Sequence, residues 1–249
     1  FDELFTLRMS GGEVNGPWSP TDIWNAAAAE PYHPPGYHLL VAAWGGVAGW
    51  SEFAIRAASL FCGVLSIAWM YRLGREVAGN SLTGLSAAVL LGFAAFFGLY
   101  LHEARPYTLY LLFTVTMLWA YWRYALAPAS PNAGHGLLLA LSAAGLLYTH
   151  YFAAIMGAAL GLYHLLLVRK DRRWWNTLGW TVTGALLFLP WAVSALSGLS
   201  EALAWQHNLT LVALMDVPEI ARAIGVEFTN ASAAFIAVLV ALGLLTKSR

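Results

Sequence analysis

The sequence predicts an all-α protein: a polytopic transmembrane helical bundle of about seven spans, with an exterior first loop and interfacial helices. Three observations predict it. Of 249 residues, 59% are hydrophobic and 10% charged, whereas soluble domains average about 45–50% apolar and about 25% charged. Apolar runs recur at approximately 36–50, 54–71, 81–101, 107–122, 134–149, 151–168, 174–197 and 230–246, most of them near the roughly 17–25 residues that cross a bilayer as a helix. Between the runs the basic residues gather in four clusters: Arg72/Arg75, Arg123, Arg169-Lys170-Arg172-Arg173 and Lys247/Arg249.

The clusters set the topology, because Lys and Arg collect in short cytoplasmic loops near span ends. With all four on that side, the spans pair between them: 81–101 with 107–122, 134–149 with 151–168, and 174–197 with 230–246. The run 54–71 then leads inward, and residues 1–35 lie outside provided that 36–50 does not cross. That run is therefore expected to be an interfacial or re-entrant helix. Length alone does not decide the point, since 134–149 is about as short, at roughly 22–24 Å of helix. Acidic residues follow the same division. The exterior receives Asp2, Glu3, Glu13, Asp22, Glu30, Glu52, Glu103, Glu201, Asp216, Glu219 and Glu227, and the cytoplasm only Glu76 and Asp171. Trp18, Trp24, Trp44 and Trp50 suit the headgroup level, as do Trp174, Trp175, Trp191 and Trp205 at span ends.

Residues 1–249 read as one transmembrane domain, with 1–53 an exterior loop with juxtamembrane helices and 54–249 the membrane helices. Within the loop, Gly11-Gly12 and Pro17-Trp18-Ser19-Pro20 carry turn chemistry, and Ser19-Pro20-Thr21-Asp22 is placed to start a short helix through Ala29. The opening Phe1-Asp2-Glu3 has no signal-peptide layout. The expectation is a partial domain, with an upstream helix and a C-terminal part outside the sequence. A formal net charge of zero gives no basis for a nucleic-acid partner, and one cysteine, Cys62, precludes an internal disulfide or thiol metal site.

Five features at the exterior level need an account: Asp2-Glu3, His33-Pro34-Pro35, Arg56, His102-Glu103-Ala104-Arg105-Pro106-Tyr107 and Tyr148-Thr149-His150-Tyr151. Ionised groups at the end of an apolar run are costly unless paired, and such groups are functional candidates. Singly, each has a structural explanation. Asp2-Glu3 are solvated loop residues, Glu103 and Arg105 a capping pair, Arg56 a snorkelling side chain, Pro34-Pro35 a helix start, and His150 a turn residue. Together they bring acids, arginines and a histidine to one side and a similar depth. A carboxylate can take the proton of an incoming hydroxyl, and arginines can hold a phosphate and stabilise its charge as it leaves. A phosphate ester with a long apolar tail suits such a place.

These landmarks resemble a known family. Asp2-Glu3, His33-Pro34-Pro35-Gly36-Tyr37-His38-Leu39-Leu40, Ser51-Glu52-Phe53-Ala54-Ile55-Arg56, Tyr71-Arg72-Leu73-Gly74-Arg75, the 102–107 and 148–151 segments and Leu189-Pro190-Trp191 are similar, in order over about residues 1–191, to motifs of the dolichyl-phosphate-mannose protein mannosyltransferase and aminoarabinose transferase family. These are membrane glycosyltransferases of the C fold type, family 39. The resemblance implies inverting transfer of one monosaccharide from a polyprenyl-phosphate donor to a glycan, lipid or protein acceptor. It places the site on the extracytoplasmic side of a multi-pass protein of the bacterial inner or plasma membrane. It implies Asp2 as general base, Glu3 as its neighbour and Glu103 as a second acid. His33, Arg56, His102, Arg105 and Tyr107 are then the substrate-binding candidates. Some members bind a divalent metal and others do not; Asp2, Glu3, His102 and Glu103 are the ligands such an ion would take. The alternative from another class is a transporter or flippase for a lipid or sugar, which tends to carry polar residues or broken helices near the bilayer midplane.

Overall fold

The computed structural model describes residues 2–196, and among them every regular element is helical. The predicted run 230–246, the polar stretch before it, Trp205 and the Lys247/Arg249 cluster lie outside the described residues.

Three short helices build the first thirty residues: α1 (Asp2–Ser10), α2 (Gly12–Asn15) and α3 (Pro20–Ala29). The last starts where its sequence says it should. Ser19 caps it, its hydroxyl oxygen accepting the Asp22 amide at 3.2 Å, and Pro20 takes the first helical position. α4 (Gly36–Ala48) follows Pro34-Pro35. Its 13 residues rise about 20 Å, short of the roughly 30 Å hydrocarbon core, and it packs on α1 and α5.

α5 (Glu52–Ala78) has 27 residues; Ser51 caps its start and Gly79, at φ 72°, ends it in the left-handed conformation. α6 (Ser81–Gly92) and α7 (Ala95–Leu101) divide the apolar run 81–101 into two helices. They meet at 65°. The last turn of α6 tightens, with the Ala94 amide reaching the Leu91 carbonyl at 3.1 Å, and Ala94 itself turns extended (φ −66°, ψ 121°). No proline marks the break; the apolar run simply hides it.

α8 (Tyr107–Tyr121) starts after Pro106 and widens into a π-turn over Trp122–Leu126. α9 (Ala133–Thr149) opens on a capping box between Asn132 and His135. α10 (Ala153–Leu167) is a separate helix, so the two runs that meet at Thr149-His150-Tyr151 do break there. α11 (Arg172–Leu187) and α12 (Leu189–Ala195) complete the described chain. Among the described residues two helical stretches, Glu52–Ala78 and Arg172–Ala195, are long and apolar enough to cross a membrane, or three if the bent pair counts as one span; α9 and α10 are apolar but shorter.

α5 packs against α6 and α8, α8 against α9, and α9 against α11. Met117, Trp119, Ala120, Leu139, Ala143 and Leu146 fill the seam between α8 and α9. The outer faces carry exposed Phe61, Leu65, Leu85, Phe96, Leu99, Leu162 and Leu166, apolar surface that suits lipid and not water.

The end of the bundle that holds the basic clusters is tied by side chains on backbone. The Arg173 guanidinium donates to the carbonyls of Tyr124, Ala127 (2.8 Å), Arg123 (3.0 Å) and Ala129 (3.3 Å), which are left over where α8 ends. His164 joins Tyr121 at 2.8 Å and the Trp174 carbonyl at 3.2 Å, while the Trp174 indole donates back to the His164 carbonyl at 2.8 Å. α8, α10 and α11 are thereby joined.

Candidate active site

At the opposite end, the first-loop helices meet the start of α5 and the turns before α8 and α10. Glu3 is the joint between them. Its Oε1 accepts from Arg56 Nε at 3.0 Å and from the Ala104 amide at 2.7 Å, and its Oε2 accepts from Arg56 Nη2 at 2.7 Å. This is the bidentate fork that suits a guanidinium. Arg56 Nη1 lies 2.5 Å from Glu52 as well, so two carboxylates hold it. The Arg56 hydrogen bonds keep the Glu3 carboxyl below its ordinary value, with burial opposing and the Ala104 amide assisting. Asp2, one residue earlier, opens α1.

Arg105 stands in the turn before α8. Its Nη2 donates to the Tyr107 hydroxyl at 3.0 Å, its guanidinium lies 4.8 Å from the Tyr107 ring centre, and Glu103 approaches Nη1 at 3.9 Å. The Arg105 carbonyl accepts from Ser59 at 3.4 Å, and Ser59 pairs with the Tyr37 hydroxyl at 2.6 Å. α4 is thereby linked to α5 and to the 105 turn. A close approach completes the arrangement: a Cβ on Gly36 would sit 2.6 Å from the Tyr148 carbonyl oxygen, so glycine lets the start of α4 lie against the end of α9.

Two unlike spaces flank this turn. A cavity of about 560 Å³ is lined by polar and aromatic groups, among them Phe5, Glu30, Tyr32, His33, Tyr37, His38, Arg105 and Thr149. A groove of about 490 Å³ is lined by Leu91, Phe96, Phe97 and Tyr100 from the bent pair and by Tyr107 and Leu111 from α8, with His150 and Phe152 at its border. The wall between them is short. Arg105 and Thr149 face the first space, and their neighbours Tyr107 and His150 line the second. The His150 ring lies 5.3 Å from His33 and 5.9 Å from Tyr107, centre to centre. A third space, about 590 Å³, runs beside Glu52, Arg56, Leu60, Leu101 and His102.

A model of the dolichyl-phosphate-mannose-protein mannosyltransferase family matches residues 32–197. The chain belongs to that family. Neither a curated protein nor a solved structure matches it. The mannosyltransferase-type match makes the protein an integral membrane protein of a glycosyltransferase family, in keeping with its apolar helices. His33, Arg56, His102, Glu103, Arg105 and Tyr107 fall inside the matched stretch, and Asp2 and Glu3 lie ahead of it.

Glu3 and Arg56 are joined directly, Glu103, Arg105 and Tyr107 form one cluster, and His33 lines the polar cavity with Arg105. His102 is exposed and lines the third space beside Arg56, apart from that cavity. Among the described residues no three His, Cys, Asp or Glu side chains converge as a metal site requires, and both oxygens of Glu3 are already engaged. Two residues to which the resemblance gives no role in the site also stand here. His38 is 4% exposed, and its Nδ1 is enclosed with no hydrogen bond among the described residues. Burial, and then His33 nearby, pushes its pKa down to about 4. His150 is the other. His38 sits inside an apolar run, where hydropathy gives no sign of a cavity; His150 marks the polar break between two runs, and that signal was present in the sequence.

Proposed function

We propose that the protein transfers a monosaccharide from a polyprenyl-phosphate donor to an acceptor hydroxyl, with inversion, at the extracytoplasmic membrane surface. The observation that carries the reading is the position of Arg105 on the wall between a polar, aromatic cavity and an apolar groove. A sugar joined through phosphate to an isoprenoid has the same division of chemistry along its length. The tail suits the groove under the α6–α7 bend, the sugar suits the cavity with its aromatic faces, and the phosphate falls beside the guanidinium.

In this mechanism the Asp2 carboxylate accepts the proton of the acceptor hydroxyl. The freed oxygen pair forms the new bond to the anomeric carbon while the bond from that carbon to the phosphate oxygen breaks on the opposite face. The electron pair leaves with the polyprenyl phosphate, whose added charge Arg105 offsets. The geometry supports Arg56 as the group that holds Glu3, because its donors are spent on Glu3 and Glu52. Glu3 then anchors α1, and with it Asp2, to α5 and the 104 turn. Glu103 serves as the second acid, near Arg105. Acceptor classes that meet these demands include glycan, lipid and protein hydroxyls.

The deciding experiment is sugar transfer from a panel of radiolabelled polyprenyl-phosphate monosaccharides by membranes holding the full chain, wild type against Asp2→Asn. Transfer that falls by roughly 10²-fold or more in the variant, with insertion unchanged, is the expected result. Equal turnover would remove Asp2 from the mechanism. The 65° break between α6 and α7 favours one other reading, transport of a lipid or sugar, since transporters use discontinuous helices. Saturable uptake with no covalent product would put that reading first.

A further inference from the structure

His150 fills the break between α9 and α10, where a residue could serve simply to close a turn. Half of its ring does so. The Phe152 amide donates to Nδ1 at 3.2 Å, which requires Nδ1 to carry a lone pair and puts the ring proton of the neutral imidazole on Nε2. No hydrogen bond among the described residues engages that second nitrogen, although the side chain is 8% exposed. The ring therefore presents a fixed N–H donor that the fold does not use.

Its surroundings say what such a donor is for. The ring lines the apolar groove, and within about 6 Å, centre to centre, are the rings of His33, Tyr107, Tyr110 and Phe152. His33 belongs to the polar cavity, and Tyr107 carries the Arg105 guanidinium. His150 is thus on the same wall as Arg105, at the place where an apolar ligand portion gives way to a polar one.

Resting on the glycosyl-transfer reading, we propose that His150 is a donor-binding residue: its Nε2–H hydrogen-bonds a phosphoryl oxygen of the lipid-linked substrate alongside Arg105. It acts as a neutral donor. Burial, then His33 and Arg105 nearby, holds its pKa down to about 4, so the ring adds direction to phosphate binding without adding charge. His33, Arg105, Tyr107 and Tyr110 are the titratable or charged groups that face it.

Two substitutions separate the ring's two nitrogens. His150→Asn keeps an acceptor at the Nδ1 position for the Phe152 amide and removes the Nε2 donor; His150→Gln removes the former and keeps a donor at the latter. With the full chain in detergent or membranes, and the panel of polyprenyl-phosphate sugars as substrate, H150N is expected to raise the donor KM roughly ten- to a hundredfold, the range for one hydrogen bond to a charged group, with an unchanged thermal midpoint. H150Q is expected to keep KM within about threefold of wild type while lowering the midpoint. The donor KM of wild type stays flat from pH 5 to 8 if the ring works uncharged. An H150N protein with wild-type KM, or an H150Q protein impaired as much as H150N, makes His150 a turn residue only. A step in KM near pH 6 that H150N abolishes overturns the neutral form. Wild-type protein that transfers no sugar from any donor overturns the parent reading, and this one with it, and is distinguished by that failure.

Discussion

The two ends of the bundle use the same residue types to different effect. At the basic end, Arg173 spends its donors on four backbone carbonyls, and His164 has a partner for each ring nitrogen. At the first-loop end, His150 uses one nitrogen, and His38 keeps Nδ1 enclosed without a hydrogen bond among the described residues. Arginine and histidine at a helix end are therefore not in themselves a sign of function. Between the buried histidines of the two ends, the difference is capacity that the fold leaves unspent, and a buried polar group without a partner costs about 1–3 kcal/mol.

The largest test of this contrast is Arg173→Ala. It orphans the carbonyls at the end of α8 and is expected to destabilise the protein by about 3 kcal/mol, seen as a lower thermal midpoint in detergent, with substrate affinity of the folded fraction unchanged. A changed affinity would mean that the basic end is coupled to the site. His164→Phe comes next, at about 2 kcal/mol by the same measurement, since it strips partners from Tyr121 and from the Trp174 carbonyl. Glu3→Gln is expected to cost about 1–2 kcal/mol at neutral pH and to change the pH dependence. The Glu3 carboxyl is depressed in the folded state from its ordinary 4.5, so its stabilisation is complete above that value and is lost as pH falls through the lower folded value. Wild type and variant should therefore converge in midpoint as pH falls through that lower folded value. The smallest effect is expected from His38→Phe, within about 1 kcal/mol, because only its bond to the Thr6 carbonyl is given up. A penalty as large as that of His164→Phe would erase the comparison between the two histidines.

Much of this was legible in the residues. The helical class follows from the apolar runs, the helix at Pro20–Ala29 from Ser19 and Pro20, and the break at His150 from a polar tripeptide between two apolar stretches. The bend at Phe93-Ala94 was not, because hydropathy sums side-chain composition while a bend is a fault in the backbone ladder. The site was legible as a set and not as a geometry. Glu3, Arg56, Glu103 and Arg105 could be named, but their pairing depends on where α1 docks, and nothing in residues 1–10 states that. His102 and Arg105 are three residues apart, yet they face different spaces because a turn, not a helix, separates them.

The bond from the Ala104 amide to Glu3 has a use in timing. That proton is protected while the carboxylate holds it, and the same carboxylate ties α1 to both α5 and the turn before α8. Its exchange rate is thus a clock for the whole first-loop joint. If it runs far slower than turnover, the joint stays shut through many catalytic cycles.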